Sequence, residues 1–226
     1  MYRAILFDLD DTLYPYSRFV LGGLRNAARY AAKHLGMEEK TFFCACRQEW
    51  LFQGNSGRIF DSVLASLGLP LTAVPYLVQA FRNQDKLRLY PDAKEFLDAM
   101  RGKAALGVIT DGLAWVQKRK IEALDANRYF QTIVYSDDYG RDNWKPSIIP
   151  YLMAWQRLGF PTPKSVVYIG DNPYRDFTGA KRLGFYTLRL VRGQYRSVRV
   201  HEAQDAHDVF SSFREVFGKL KLSPVN

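Results

Sequence analysis

Nine residues near the N-terminus, Ala4-Ile5-Leu6-Phe7-Asp8-Leu9-Asp10-Asp11-Thr12, limit what this chain can fold into. The apolar run Ile5-Leu6-Phe7 reads as a buried strand. It ends in three carboxylates and a hydroxyl. Crowded like charges repel one another and resist burial, so an ending of this kind does not serve stability. Side chains alternate along a strand, which puts Asp8 and Asp10 on one side and Leu9 on the other. In a central parallel strand both carboxylates would stand at the C-terminal end, where open α/β sheets bind their ligands. The stretch reads as a nucleophile, an acid/base and half of a metal site.

The remainder of the chain falls into two textures. From about residue 16 to residue 87 the spacing is helical, with Leu24, Ala27, Ala28, Ala31 and Leu35 recurring on one face. Ser17 is a candidate cap for the first of these helices and Gly36 for its end. Further helices are expected over 38–51, 58–67 and 71–82. From Tyr90 onward, strands and helices alternate. Strands are expected at 104–109, 132–135, 165–169 and 185–191. Helices are expected at 92–100, 113–124 (with a basic face), 150–158, 178–183 and 208–220, and Ala206–Val209 is a candidate edge strand. This alternation predicts an α/β fold with a doubly wound parallel sheet. The predicted core is residues 1–15 and 88–226, with an all-helical insertion at 16–87 after the first strand.

Four strands run into polar residues: Asp8/Asp10, Thr110/Asp111, Ser136/Asp137/Asp138 and Asp171. In a parallel sheet those ends meet at one edge, which is the strongest physical argument for an active site here. Asp8 can attack an electrophile, and with phosphorus the product is an aspartyl phosphate. Asp10 can protonate the leaving oxygen and later activate water. Thr12 can fix the local turn. The Thr110 hydroxyl and the N–H groups of Asp111 and Gly112 can hold phosphate oxygens. Lys145, followed by Pro146, is a point charge suited to a phosphoryl group. Asp171 and Asp176, in Gly170-Asp171-Asn172-Pro173-Tyr174-Arg175-Asp176, would form with Asp8 an oxygen-rich site that suits Mg²⁺.

These motifs, in this order and each at a strand end, resemble the haloacid dehalogenase (HAD) superfamily of hydrolases. The resemblance implies a HAD-like Rossmannoid core, with Asp8 as nucleophile and Asp10 as general acid/base. It implies that Asp10 also binds Mg²⁺ through its backbone carbonyl. Thr110 and Lys145 become the phosphate-stabilising pair, Asp171 a metal ligand, and Asp176 a supporting or alternate ligand. The insertion becomes a C1-type helical cap that closes over the site and selects substrate. The superfamily's dehalogenases lack an Asp two positions after the nucleophile and need no Mg²⁺, so Asp10 implies a phosphatase. Asp10 also disfavours a phosphonatase, although Lys33, Lys40 and Lys86 are available for a Schiff base. The implied activity is Mg²⁺-dependent hydrolysis of a small phosphate monoester. The alternatives are a phosphotransferase or phosphomutase, and a silent binding protein.

Substrate choice is expected to lie in the cap. Gln53, Asn55, Ser56 and Arg58 either face the site or form a solvated connection. Trp50, Phe52 and Tyr14 either line the cavity or belong to the core. Lys and Arg outnumber Asp and Glu by 32 to 23, a net +9 that favours anionic ligands. The basic residues are scattered, and the group Arg182, Arg189, Arg192, Arg196 and Arg199 reads as a solvated face, so no nucleic-acid partner is expected. No apolar run approaches the ~18 residues needed to span a bilayer. The chain goes straight into a strand with no leader, so a cytoplasmic location is expected, and the resemblance implies a small phosphorylated metabolite as partner. Cys44 and Cys46 are too close for a comfortable disulfide and read as reduced helix residues.

Overall fold

The computed structural model describes residues 2–54, 57–84, 86–159 and 162–220. In it the first apolar run forms β1 (Ala4–Phe7), buried at every residue. A strand enclosed on both faces needs parallel neighbours and covering helices. β1 pairs in parallel with β2 (Ala105–Thr110) on one edge and β4 (Val166–Gly170) on the other, with Ile5 opposite both Leu106 and Val167. β3 (Thr132–Tyr135) lies beyond β2, and β5 (Tyr186–Leu190) and β6 (Asp208–Phe210) lie beyond β4. The order is β3-β2-β1-β4-β5-β6, parallel throughout. The chain winds outward from β1 to β3, then returns to add β4 on the other side. The switch point therefore falls between β1 and β4, where such sheets bind ligands.

The two-residue period of β1 sorts its side chains between two helical layers. Ala4 and Leu6 join a core with Tyr151 and Ala154 of α7 (Ile149–Arg157) and Ala180 of α8 (Thr178–Arg182). Phe7 meets Phe96 of α5 (Pro91–Met100) and Phe213 of α9 (Phe213–Leu220), with ring centroids 6.1 and 6.0 Å apart. The expected doubly wound sheet is present.

The chain divides into two compact units, residues 1–16 with 86–226, and residues 17–85. The second unit is helical: α1 (Tyr16–Leu35, entering from the first unit), α2 (Glu39–Gln53), α3 (Ile59–Ser66) and α4 (Val74–Arg82). α1 buries Leu24, Ala27, Ala28 and Ala31, the face its spacing predicts. Cys46 is buried and Cys44 exposed, both as free thiols. Phe52 is 87% exposed and no part of a core. Gln53 donates to Ser62 Oγ at 3.0 Å. Asn55 and Ser56 lie outside the described residues. Among the described residues no helix is long and apolar enough to cross a membrane.

Three local expectations need correction. Asp11, rather than Ser17, receives the first N–H of α1: Tyr16 N–H donates to its Oδ1 at 2.9 Å. The last helix starts at Phe213 instead of Asp208, while the candidate edge strand at 206–209 forms as Asp208–Phe210, the sixth strand. Ser211 supplies the break, its N–H and hydroxyl both bonded to Glu215. The basic group after β4 is not uniformly solvated. Arg189 is 1% exposed, with Asp205 at 3.0 Å and the carbonyls of Tyr195 and Val198 as acceptors. Arg192 forks onto both oxygens of Asp92.

Candidate active site

Asp8 and Asp171 follow neighbouring strands, β1 and β4, on either side of the switch point. The Asp8 N–H continues the ladder to Ile169 O at 2.9 Å, which fixes the carboxylate at the sheet edge. Asp8, Asp171 and Asp176 are all buried, and each offers an oxygen within 4.8 Å of the others. Lys145 Nζ lies among them, 2.5 Å from Asp8 Oδ1 and 2.7 Å from Asp176 Oδ1. Tyr168, on β4, donates to Asp176 Oδ1 at 3.0 Å. Asp176 Oδ2 accepts from the N–H groups of Asp171 and Asn172 at 3.1 and 2.8 Å. Asp176 thus folds its own loop onto the end of β4. Thr12, expected to serve its local turn, instead donates to Asp171 Oδ1 across 3.4 Å.

The charges do not balance in this cluster. Burial pushes the Asp8 carboxyl up to about 7, with Lys145 opposing and Asp176 adding to the rise. Burial, then Asp8 and Asp176, push Asp171 well above the usual carboxylate range. Burial alone would lower Lys145, but Asp176 and Asp8 outweigh it and keep the ammonium charged. With all three carboxyls ionised, one lysine would leave negative charge unpaired, and a bound cation would supply the missing positive charge. The all-oxygen donor set suits a hard divalent ion such as Mg²⁺. The Asp10 side chain is not part of this cluster.

Thr110 ends β2, beside β1, and is 1% exposed. Gly112 follows with φ +110°, a conformation open to glycine, and brings the chain over Gln117. Asp111 Oδ1 accepts from Lys145 N–H at 3.1 Å, and its Oδ2 lies 3.6 Å from Arg175. Asp137, from the polar end of β3, accepts from Ala114 N–H at 3.0 Å and anchors the start of α6 (Ala114–Ala123). Asp8 and Asp10 follow β1, Thr110 ends β2 with Asp111 and Gly112 after it, Asp171 and Asp176 follow β4, and Lys145 reaches back to Asp8.

Asp10 has partners that the sequence did not reveal. Lys120 Nζ lies 2.8 Å from both of its oxygens. Gln117 Nε2 donates to Asp10 Oδ2 at 3.0 Å and also to Thr110 Oγ1. Tyr14 OH donates to Asp10 Oδ1. Burial and then Asp10 raise the Tyr14 phenol well above its usual value, so it stays a donor. Tyr14, open between cavity and core in the sequence, is fully buried against Asp10. The basic face expected on α6 is partly an inner one, since Lys120 is 4% exposed. The available signal was the pairing of Gln117 with Lys120 three residues on, one face of a helix that starts just past Gly112.

The haloacid dehalogenase-like hydrolase family matches residues 5–190. The chain is similar to a glyceraldehyde 3-phosphate phosphatase of Methanopyrus kandleri, 32% identical over 217 residues that cover 92% of each chain. It is also similar to a phosphoserine phosphatase of Thermus thermophilus, 28% identical, covering 95% of this chain and 98% of the relative. A solved HAD phosphatase from Thermococcus onnurineus shares the fold with a TM-score of 0.65 and 23% identity, covering 99% of this chain and 100% of its own. The fold and the cluster at the switch point define an α/β hydrolase with an aspartate at the end of its first strand. The chain belongs to the haloacid dehalogenase-like hydrolase family.

Proposed function

We propose that this protein is a Mg²⁺-dependent phosphatase that hydrolyses small phosphate monoesters through a phosphorylated Asp8. The carrying observation is the place of Asp8, buried at the sheet edge with Lys145 at 2.5 Å and Asp171 and Asp176 within reach of one ion. The phosphatase names of the relatives from Methanopyrus kandleri and Thermus thermophilus support the same reading.

Asp8 and Asp171 would hold the cation directly, with the main-chain carbonyl of Asp10, while Asp176 supports Asp171 and Lys145 through the bonds given above. Bound there, the cation neutralises the carboxylates and the phosphate, which lets an anionic nucleophile approach an anionic ester. Thr110 Oγ, Lys145 and the N–H groups of Asp111 and Gly112 hold the non-bridging oxygens. An Asp8 oxygen bonds to phosphorus as the bond from phosphorus to the alcohol oxygen breaks, and Asp10, which must enter this step in its protonated form, gives that oxygen its proton. Asp10, now a carboxylate, takes a proton from water as the water oxygen bonds to phosphorus. The bond between phosphorus and Asp8 breaks, inorganic phosphate leaves, and both carboxyl groups return to their starting states.

Phosphate release from glyceraldehyde 3-phosphate, phosphoserine, sugar phosphates and nucleotides tests the proposal, with Mg²⁺ and with EDTA. Release should need both Mg²⁺ and Asp8. Release that persists undiminished in Asp8→Asn would contradict it.

A further inference from the structure

The group on Asp10 is more elaborate than holding an aspartate in place requires. Each Asp10 oxygen accepts from Lys120 at 2.8 Å and from one further donor, Tyr14 on Oδ1 and Gln117 on Oδ2. Lys120 is 4% exposed, so an ammonium has been taken out of water to stand against this carboxylate. Burial of this kind is costly unless the charge is paired and hydrogen-bonded. The Lys120 charge also lies 5.0 Å from the centre of the Tyr16 ring, which encloses it further.

Gln117 links the group to the substrate side. The amide Nε2 carries two hydrogens. One acceptor is Asp10 Oδ2 and the other is Thr110 Oγ1, so one side chain sets the spacing between the acid/base and a phosphate-holding hydroxyl. Gln117 and Lys120 are three residues apart and share the buried face of α6 with Ile121. α6 is itself fixed at its start by Asp137.

We propose that Gln117 and Lys120 are positioning residues for the proton-transfer steps, holding the Asp10 carboxyl in register with Thr110. The inference rests on the phosphatase reading given above. An alkyl phosphate has a poor leaving group and needs the Asp10 proton as its ester bond breaks, whereas a p-nitrophenolate leaves without one. A misplaced Asp10 therefore harms the first step with an alkyl ester more than with an aryl ester. It also slows water attack on phosphorylated Asp8 whatever the ester was.

The test compares kcat/KM for glycerol phosphate and p-nitrophenyl phosphate in wild type, Lys120→Met, Lys120→Arg and Gln117→Leu. The loss on the alkyl ester should exceed the loss on the aryl ester by about tenfold or more in Lys120→Met, and Lys120→Arg should recover part of it. Acid-quenched phosphoenzyme from p-nitrophenyl phosphate should accumulate in Lys120→Met above the wild-type level. Equal losses on the two esters, no loss, or faster turnover would each overturn the inference. A crystal structure of Lys120→Met decides it without activity. Asp10 should turn out of contact with Gln117, and an unmoved Asp10 would overturn the inference. Wild-type failure on both esters and on the phosphate esters named for the proposed function would contradict the phosphatase reading and leave the crystallographic arm to judge this one.

Discussion

Lys145 and Asp176 form an ion pair 2.7 Å long in which neither partner meets solvent, their side chains being 3% and 1% exposed. A buried pair adds little net stability compared with an apolar pair, and Lys145 would keep Asp8 as a partner if Asp176 were removed. Asp176→Ala should still destabilise the protein by about 1–3 kcal/mol, the cost of buried donors left without an acceptor. The cost should fall on the N–H groups of Asp171 and Asn172, which lose Asp176 Oδ2 as their acceptor. Chemical denaturation of the metal-free protein checks this. A cost no larger than that of a surface pair would show that Asp176 does not organise the loop.

Mg²⁺ should raise the thermal midpoint. Binding to the folded state alone stabilises by about 2.7 kcal/mol at a concentration one hundred times Kd. Asp171→Asn removes a buried carboxylate from the triad and should abolish most of the shift. Differential scanning calorimetry with and without Mg²⁺ gives the comparison. A full shift in the variant would place the cation elsewhere.

Gly193 should not tolerate a side chain. Its φ is +62°, and a Cβ there would run into the Asp11 carboxylate. Asp11 itself sits at φ 58° and accepts from Tyr16 N–H and Gln194 N–H. Gly193→Ala should lower the midpoint and reduce activity together, since the displaced turn lies between Asp10 and Thr12. Unfolding curves and phosphate release measured on one preparation check both.

Acid should weaken the attachment of α9. Burial would raise the Asp92 carboxyl, but Arg192 and the N–H groups of Phe213 and Ala93 outweigh it and hold it below the usual range. A carboxyl depressed by folding contributes stability that is complete above its unfolded value, about 3.9. That contribution fades as pH falls through the lower folded value. The stability gap between wild type and Asp92→Asn should accordingly be widest near neutrality and shrink below about pH 4. A gap that does not change with pH would mean the ion pair is not what holds Asp92.

The sequence carried β1 and Asp8 openly, because an apolar run that stops at a cluster of carboxylates is a local signal. Asp171 and Asp176 were legible for the same reason, standing at the end of another apolar run. Lys120 was hidden. A lysine on a helix suits solvent as well as a buried partner, and only the order of the sheet brings α6 beside a residue 110 positions away. Thr12 looked local until β4 came to lie beside β1 and offered it Asp171. Arg189 sits in a strand between Leu188 and Leu190, and nothing nearby in sequence announced that Asp205 and two carbonyls would receive it. Contacts within one segment could be read from residue pattern. Contacts made by the winding of the sheet could not.

The central claim is that Asp8 carries the phosphoryl group. Rapid acid quench of the enzyme with Mg²⁺ and a turned-over ester, followed by peptide mass spectrometry, tests it most directly. The expected result is a phosphoryl group on Asp8 that is lost on treatment with hydroxylamine and absent in Asp8→Asn. Turnover with no phosphoenzyme at Asp8, or with the group on another residue, would contradict it.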